Sequence, residues 1–462
     1  MALSQRTFGL EFEIIVRLTE IYPDIIDLFQ AVADHVTDND AITIGPRHTL
    51  YDSYHQYEIP RDHWIIVEDG SLGAEITDFR YSKERVDTPH MKAALWLLYF
   101  CGAEIVSPIL HEGRWDFVSN LLKSLGTEPC SVFHNTSTST HIHVGVQVPG
   151  EEVCGATAID TCTKVAAVWF IFETFLNLLH PDHRVNGWCK RSRRSPLARK
   201  YKQNEFIEKL TEDKNPKNIY LMMNNTLYTH ADGEESLIGD RYFGVSFGNL
   251  ERDYKYTIEF RSHEGTNDID AIECWGKLVM RLFDQAAQSD WEYIWSLVYL
   301  TDGLSDRNMY GPEPTRLLPE WRQWIQHMHY LFLNYLAGEK MREEYLDCDD
   351  IGSLEEAILP LEQLAGDAAA NPQLRDKREE ELLIKRFALY MKNRRAKFRN
   401  LHDRKYFDFM EWDSSDERYP YPDDYVDYPN PSGIVTDEAG RDIPINLSQP
   451  TPEEIAAAQR RN

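Results

Sequence analysis

The 462-residue sequence predicts an α+β fold in which one sheet carries helices on its back and ligand-type side chains on its front. Three observations predict it. Short runs of period-2 alternation are interspersed with amphipathic helices up to about residue 300. Three of those runs share one design, apolar on one face and carboxylate, imidazole or guanidinium on the other. From Pro312 onward the pattern turns to helices alone.

The first strand is read from Arg6–Val16 (RTFGLEFEIIV). Phe8, Leu10, Phe12 and Ile14 fall on one face and Gly9, Glu11 and Glu13 on the other, as a pleated strand requires. Trp64–Leu72 is an apolar strand running into Asp69-Gly70-Ser71, where Asp69 is either a site carboxylate or half of a common turn pair. Helical patterns follow at Pro89–Cys101 and Trp115–Leu125, with a strand at Gly102–Leu110 that puts Glu104 near its start. Ser137–Val148 repeats the two-faced design, with Ile142, Val144 and Val146 opposite His141, His143 and Gly145. The next helix, Asp160–Leu179, holds an apolar run interrupted by Glu173 and too short to span a bilayer comfortably.

Between His180 and a strand expected near Arg241, the Asn/Lys-rich sequence with its short helical piece Asn204–Leu210 reads as an elaborated loop region. Tyr254–Arg261 (YKYTIEFR) supplies the third two-faced strand. Its Lys255, Thr257, Glu259 and Arg261 lie opposite Tyr254, Tyr256, Ile258 and Phe260, and the helix Asp268–Ala287 closes the body. Beyond it, Glu320–Leu336 and the charged Arg375–Asn400 are amphipathic helices, the second with a solvated outer face. The division expected is therefore a catalytic body over 1–310, an accessory helical region over 311–405, and an acidic, Pro-rich tail over 406–462 with too little apolar surface to order itself.

Taken singly, each polar strand face has an ordinary explanation: paired charges on a half-exposed strand, a structural histidine, a same-face ion pair. Repetition changes the weight. If the three strands share a sheet, Glu11, Glu13, His141, His143, Glu259 and Arg261 line one face of it, and carboxylates with neutral imidazoles are ligands for a divalent metal.

Composition narrows the partners. With 49 Lys and Arg against 76 Asp and Glu, the formal charge of -27 repels nucleic acid and anionic membranes, although the stretch Lys190–Lys202 is basic. Seven Cys without a CxxC pair point away from a zinc ribbon and a disulfide framework, and the N-terminus has no secretory pattern, so a cytoplasmic protein is expected.

The order Gly9-Leu-Glu11-Phe-Glu13, Asp69-Gly-Ser71, Glu104-Ile-Val-Ser107-Pro108, His141-Ile-His143-Val-Gly145, Arg241-Tyr242 and Thr257-Ile-Glu259-Phe-Arg261 with Gly265-Thr266 closely resembles the amidoligase family. That family belongs to the carboxylate–amine ligases of the glutamine synthetase and glutamate–cysteine ligase type. The resemblance covers about residues 5–290. It implies a curved antiparallel sheet, the glutamine synthetase-like bowl, holding two or three Mg²⁺ or Mn²⁺ ions, with ATP as cosubstrate. It also implies roles. Glu11, Glu13, Glu104, His141 and Glu259 would be metal ligands, His143 would lie near the nucleotide, and Arg261 would face the transferring phosphate, with Glu104 and Asp69 beside it in the catalytic set. Arg241 would serve the nucleotide, and on charge grounds Arg184 with the basic run after it either binds nucleotide or an acidic substrate or belongs to a solvated loop. One departure stands out, Ser246 where the family has Asn.

The leading expectation is an ATP-dependent ligase joining a small-molecule or peptide carboxylate to an amine acceptor. A metal-dependent hydrolase and a non-catalytic binding protein on the same scaffold are the alternatives. The absence of HExxH and the Arg261–Glu259 pairing favour phosphate handling, and the absence of Walker A and Rossmann motifs fits a nucleotide held by metals and a sheet.

Overall fold

In the computed structural model, strand β1 (Thr7–Leu18) is the centre of an eight-stranded antiparallel sheet. The other seven strands are β2 (Ile65–Glu68), β3 (Phe100–Val106), β4 (Leu110–His111), β5 (Cys130–Phe133), β6 (Ser139–Gly145), β9 (Val245–Ser246) and β10 (Thr257–Glu264), with the hairpin β7 (Asn225–Thr229) and β8 (Glu235–Gly239) standing apart. Their order is β2-β3-β1-β6-β10-β9; β4 and β5 also pair with β1, and the sheet is open. The structure describes residues 6–18, 25–38, 64–68, 72, 100–128, 130–134, 137–146, 155–181, 184–185, 189–230, 235–251, 256–302 and 319–338, most of 379–397, and the short strands 434–436 and 442–444.

The apolar face of β1 forms the first layer of the core. Phe8, Leu10, Phe12 and Ile14 are each almost fully enclosed, and Phe8 stacks on Trp115 at 4.6 Å between ring centroids. The helices behind the sheet include α1 (Ile25–Asp38), α2 (Trp115–Leu125) and α3 (Ala156–Asn177). Trp115, Val118, Leu121, Leu122 and Leu125 recur at the spacing that makes one face of α2 apolar, and all five are buried. Helix α3 is instead buried around most of its girth, as expected of a helix with partners on several sides. Its Glu173 has a structural use: the carboxylate accepts the backbone N–H of Ser192 at 2.7 Å and of Arg193 at 2.8 Å, anchoring the start of the basic segment against the helix.

The other α-helices among the described residues are α4 (Gln203–Glu212), α5 (Pro216–Met223), α6 (Ile269–Gln288), α7 (Trp291–Asp302), α8 (Pro319–Ala337) and α9, described over 381–395. Gly276 on α6 lets the helix sit against Trp115, since a Cβ there would lie 2.3 Å from the indole. Helix α8 continues the same core: Phe332 packs on Phe172 at 5.0 Å, and the Leu336 carbonyl accepts from Arg281 at 2.7 Å.

Three readings of the sequence change here. The segment between His180 and Arg241 is more ordered than a loop, because α4, α5 and the β7–β8 hairpin lie within it. Arg241 sits in a turn and the strand near it begins only at Val245. Of the helix expected at Pro89–Cys101, only Phe100 and Cys101 are among the described residues, and they open strand β3. Among the described residues no helix is long and apolar enough to cross a membrane.

The end of β10 carries a buried polar node. Glu264 accepts from Arg394 Nη1 at 2.6 Å and also from Nη2, while Arg394 Nε donates to the Leu179 carbonyl at 2.9 Å. Burial works against the Glu264 charge, but Arg394 outweighs it and holds the carboxyl well below the usual range. Burial also pushes His134 and His263 down to about 4, and His180 and His329 well below the ordinary imidazole value. An acid-side instability follows. As pH falls from the ordinary imidazole value of 6.5 toward 4, the unfolded chain takes up protons that these folded rings refuse, so stability declines by up to about 1.4 kcal/mol per pH unit for each ring. Below 4.5, the ordinary value of its carboxyl, the Glu264 contribution declines as well. Thermal melts between pH 7 and pH 4 measure this, and a midpoint unchanged down to pH 4.5 would rule it out.

Candidate metal centre

Strand register assembles the site. On β1 and β6 Glu11 lies opposite His141, Gly9 opposite His143 and Glu13 opposite Ser139. Across to β10 and β9, His143 faces Glu259, which faces Ser246. On the other side of β1, Glu13 faces Glu104 on β3. Directly paired residues of an antiparallel sheet share a face, so these groups converge without any long loop being needed.

Side-chain geometry is closer still. Glu11 Oε1 is 2.9 Å from His143 Nε2, and Glu11 Oε2 is 3.4 Å from His141 Nδ1. Glu259 Oε1 approaches the same His141 Nδ1 at 3.4 Å and His143 Nε2 at 3.9 Å, and also accepts from Arg261 Nη1. On the far side of the His141 ring, Ser139 Oγ donates to Glu13 Oε2 and lies 2.7 Å from His141 Nε2. Glu11, Glu13, His141, His143 and Glu259 are all at least nine-tenths buried.

The burial makes the charge balance decisive. Burial pushes the Glu259 carboxyl up, but the Arg261 guanidinium and the two imidazoles outweigh it and hold it below its ordinary value. Arg261 is driven the other way: burial disfavours its charge, and Glu259, Glu13 and Glu11 more than restore it. Three carboxylates thus share one enclosed place with one guanidinium and two imidazoles.

The close approaches show where these groups are aimed. Ser139 Oγ, donating to Glu13, braces the Nε2 edge of the His141 ring, so that His141 Nδ1 faces the oxygens of Glu11 and Glu259 at 3.4 Å each. His143 Nε2, despite its 2.9 Å approach to Glu11, makes no aligned hydrogen bond. One donor atom each from Glu11, His143 and Glu259 lies within 4.8 Å of the others. Carboxylate oxygens and imidazole nitrogens gathered this closely in an enclosed place form a donor set that a divalent cation fits.

The other expected site residues fall in different places. Glu104 is half-buried on β3 opposite Glu13, one strand further from the cluster. Arg241 is exposed at the rim, its guanidinium 5.2 Å from the Tyr242 ring centroid, while that of Arg261 lies 6.0 Å from the same ring. Arg184 is 2% exposed and donates from Nη2 to the Arg261 backbone carbonyl at 2.8 Å. Asp69 lies outside the described residues.

Three participants were not singled out from sequence. Ser139 stands two residues before His141 and shares its face, so the period-2 rule could have found it. Thr257 Oγ1 lies 3.2 Å from His143 Nδ1, on a strand face already recognised. Asn249 gives no such signal, since its amide reaches His143 Nδ1 at 3.4 Å and Thr257 Oγ1 at 3.2 Å from a short 3₁₀ turn after β9. Together the last two orient the His143 ring from behind, as partners of a metal-facing histidine do.

A family model described as "putative amidoligase enzyme" matches residues 4–283, more than half of the chain. No curated protein matches it.

Proposed function

The chain belongs to the amidoligase family, which marks a ligase-type enzyme, and from that premise we propose an ATP- and divalent-metal-dependent carboxylate–amine ligase. The reaction forms an amide or isopeptide bond between a small-molecule or peptide carboxylate and an amine. In this reading the catalytic body is residues 1–310, its open sheet is a glutamine synthetase-like bowl, and the protein works in the cytoplasm on substrates other than nucleic acid.

The observation that carries the proposal is the buried trio of Glu11, Glu13 and Glu259 converging with two imidazoles and one guanidinium. A hydrolase needs carboxylates and imidazoles to hold a metal; it has less use for a guanidinium on the metal-facing carboxylate. Phosphoryl transfer needs both, since it brings two polyanions together. Glu11, His143 and Glu259, with His141 and Glu13 beside them, would hold Mg²⁺ or Mn²⁺, with Glu104 toward a further ion and His143 on the nucleotide side of the set. The metal, when bound, neutralises phosphate charge as it moves. Arg261 meets the transferring phosphate from the protein side, and Arg241 at the rim receives the nucleotide or the anionic substrate.

Chemically, a carboxylate oxygen of the substrate attacks the terminal phosphorus of ATP and ADP leaves. The amine nitrogen then attacks the acyl carbon, phosphate leaves, and the nitrogen gives up a proton to a nearby base. Incubation with ATP, Mg²⁺, hydroxylamine and a panel of carboxylates tests the first half. The expected products are ADP, phosphate and a hydroxamate, formed only with the right carboxylate. ADP release indifferent to every carboxylate and to Glu259→Ala would end the ligase reading.

A further inference from the structure

Strand β10 does not run regularly past the site. Phe260 pairs with Ile142 but His263, not Ser262, pairs with Thr140, so Arg261 and Ser262 together stand opposite His141 in a β-bulge. A bulge leaves its backbone groups without ladder partners, and here they are supplied from elsewhere. The Arg261 N–H donates to the Gly244 carbonyl at 2.9 Å. The Arg261 carbonyl accepts from Arg184 Nη2 at 2.8 Å and from the Cys189 thiol at 3.3 Å. Arg184 and Cys189 are themselves tied together, since the Cys189 N–H donates to the Arg184 carbonyl at 2.7 Å and Arg184 Nη2 also lies 3.4 Å from Cys189 Sγ. A Cβ at position 244 would lie 2.6 Å from Ser262 Oγ, so a larger residue there would have to push the Ser262 hydroxyl aside.

We propose that Arg184 and Cys189 are positioning residues: they clamp the carbonyl of the bulged residue Arg261, and so turn its guanidinium onto Glu259 at the metal centre. The inference rests on the metal-site reading above. Sequence alone had Arg184 on the nucleotide, on an acidic substrate or in a solvated loop. A guanidinium 2% exposed and bonded to a backbone carbonyl is instead placed to act through its neighbour. Burial raises the Cys189 thiol above its ordinary value, which keeps it the S–H donor this contact needs.

The consequence is specific. Arg261 and a metal ion compete for Glu259, so releasing Arg261 should tighten metal binding while impairing phosphate handling. The test is Mn²⁺ titration of the full chain with the metal alone, comparing Arg184→Met, Arg261→Ala and the double variant. Arg184→Met should tighten Mn²⁺ binding roughly three- to tenfold in the wild-type background and leave it unchanged in the Arg261→Ala background, the non-additivity of residues that act as one unit. In turnover, kcat should fall while KM for ATP holds. If Arg184→Met does not fold, Cys189→Ala should tighten Mn²⁺ in the same direction, and Cys189→Ser, which keeps a donor, should stay near wild type. Equal shifts in both backgrounds, or weakened binding, would overturn the positioning role alone. Failure of the wild-type chain to bind Mn²⁺ would overturn the metal centre, and this inference with it.

Discussion

Glu11→Gln is expected to abolish stoichiometric Mn²⁺ binding and to lower carboxylate-dependent ADP formation by roughly a thousandfold. Glu11 reaches both imidazoles with separate oxygens, Oε1 at 2.9 Å from His143 and Oε2 at 3.4 Å from His141. The amide keeps the shape but removes the charge and turns half of the acceptor pair into a donor, which cannot face a cation. Stability should move the other way. In the metal-free protein the carboxylates of Glu11, Glu13 and Glu259 crowd one enclosed space, so neutralising one of them relieves repulsion, and the thermal midpoint should hold or rise. A variant that loses metal and also melts several degrees lower would mean that Glu11 is a structural acid, and the metal centre would have to be moved. Isothermal titration with Mn²⁺ and a melt in chelator give both answers.

Arg394→Met should cost about 3–5 kcal/mol, the range for removing one partner of a buried ion pair. Arg394 is 5% exposed and Glu264 8%. Without the fork from Arg394, the Glu264 carboxylate at the end of β10 keeps its burial and loses its main compensation; Lys397, 3.4 Å away, is mostly exposed and contributes little. Replacing both residues, as Glu264→Gln with Arg394→Met, should cost less than the single change at Arg394, because no unpaired charge is left behind. Urea melts of the two variants decide it, and equal losses would show that packing of α9, not the ion pair, sets the cost. The pair also links the chain beyond residue 310 to the site-bearing strand. The family match ends at residue 283, yet α8 and α9 bury Phe332, Tyr335, Phe387 and Met391 in the same core as the sheet.

Much of the site was legible because strand periodicity is a local property. Alternation on Arg6–Val16, Ser137–Val148 and Tyr254–Arg261 assigned each polar residue to a face before any pairing was known, and the glutamates, histidines and Arg261 do meet on neighbouring strands. Periodicity failed where the backbone departs from it. Simple alternation along β10 would carry His263 to the front with Glu259 and Arg261. The bulge sends it to the back, where its ring lies 5.9 Å from that of His180 and 6.3 Å from Trp275. The polar segment after His180 looked like loop because short helices and a hairpin carry little pattern of their own, and packing against the body completes them.

By itself, then, the sequence determined which residues share a strand face and that those faces carry metal-type donors, because a period of two residues needs no partner to be read. The tertiary structure decided the rest. Register placed Glu11 against His141 and Glu259 against His143; an irregularity one residue long aimed Arg261 and buried His263; and contacts across long sequence separations brought Arg184, Asn249 and Arg394 to their places. Those outcomes depend on which strands pair and how tightly the layers close, and no local pattern encodes either.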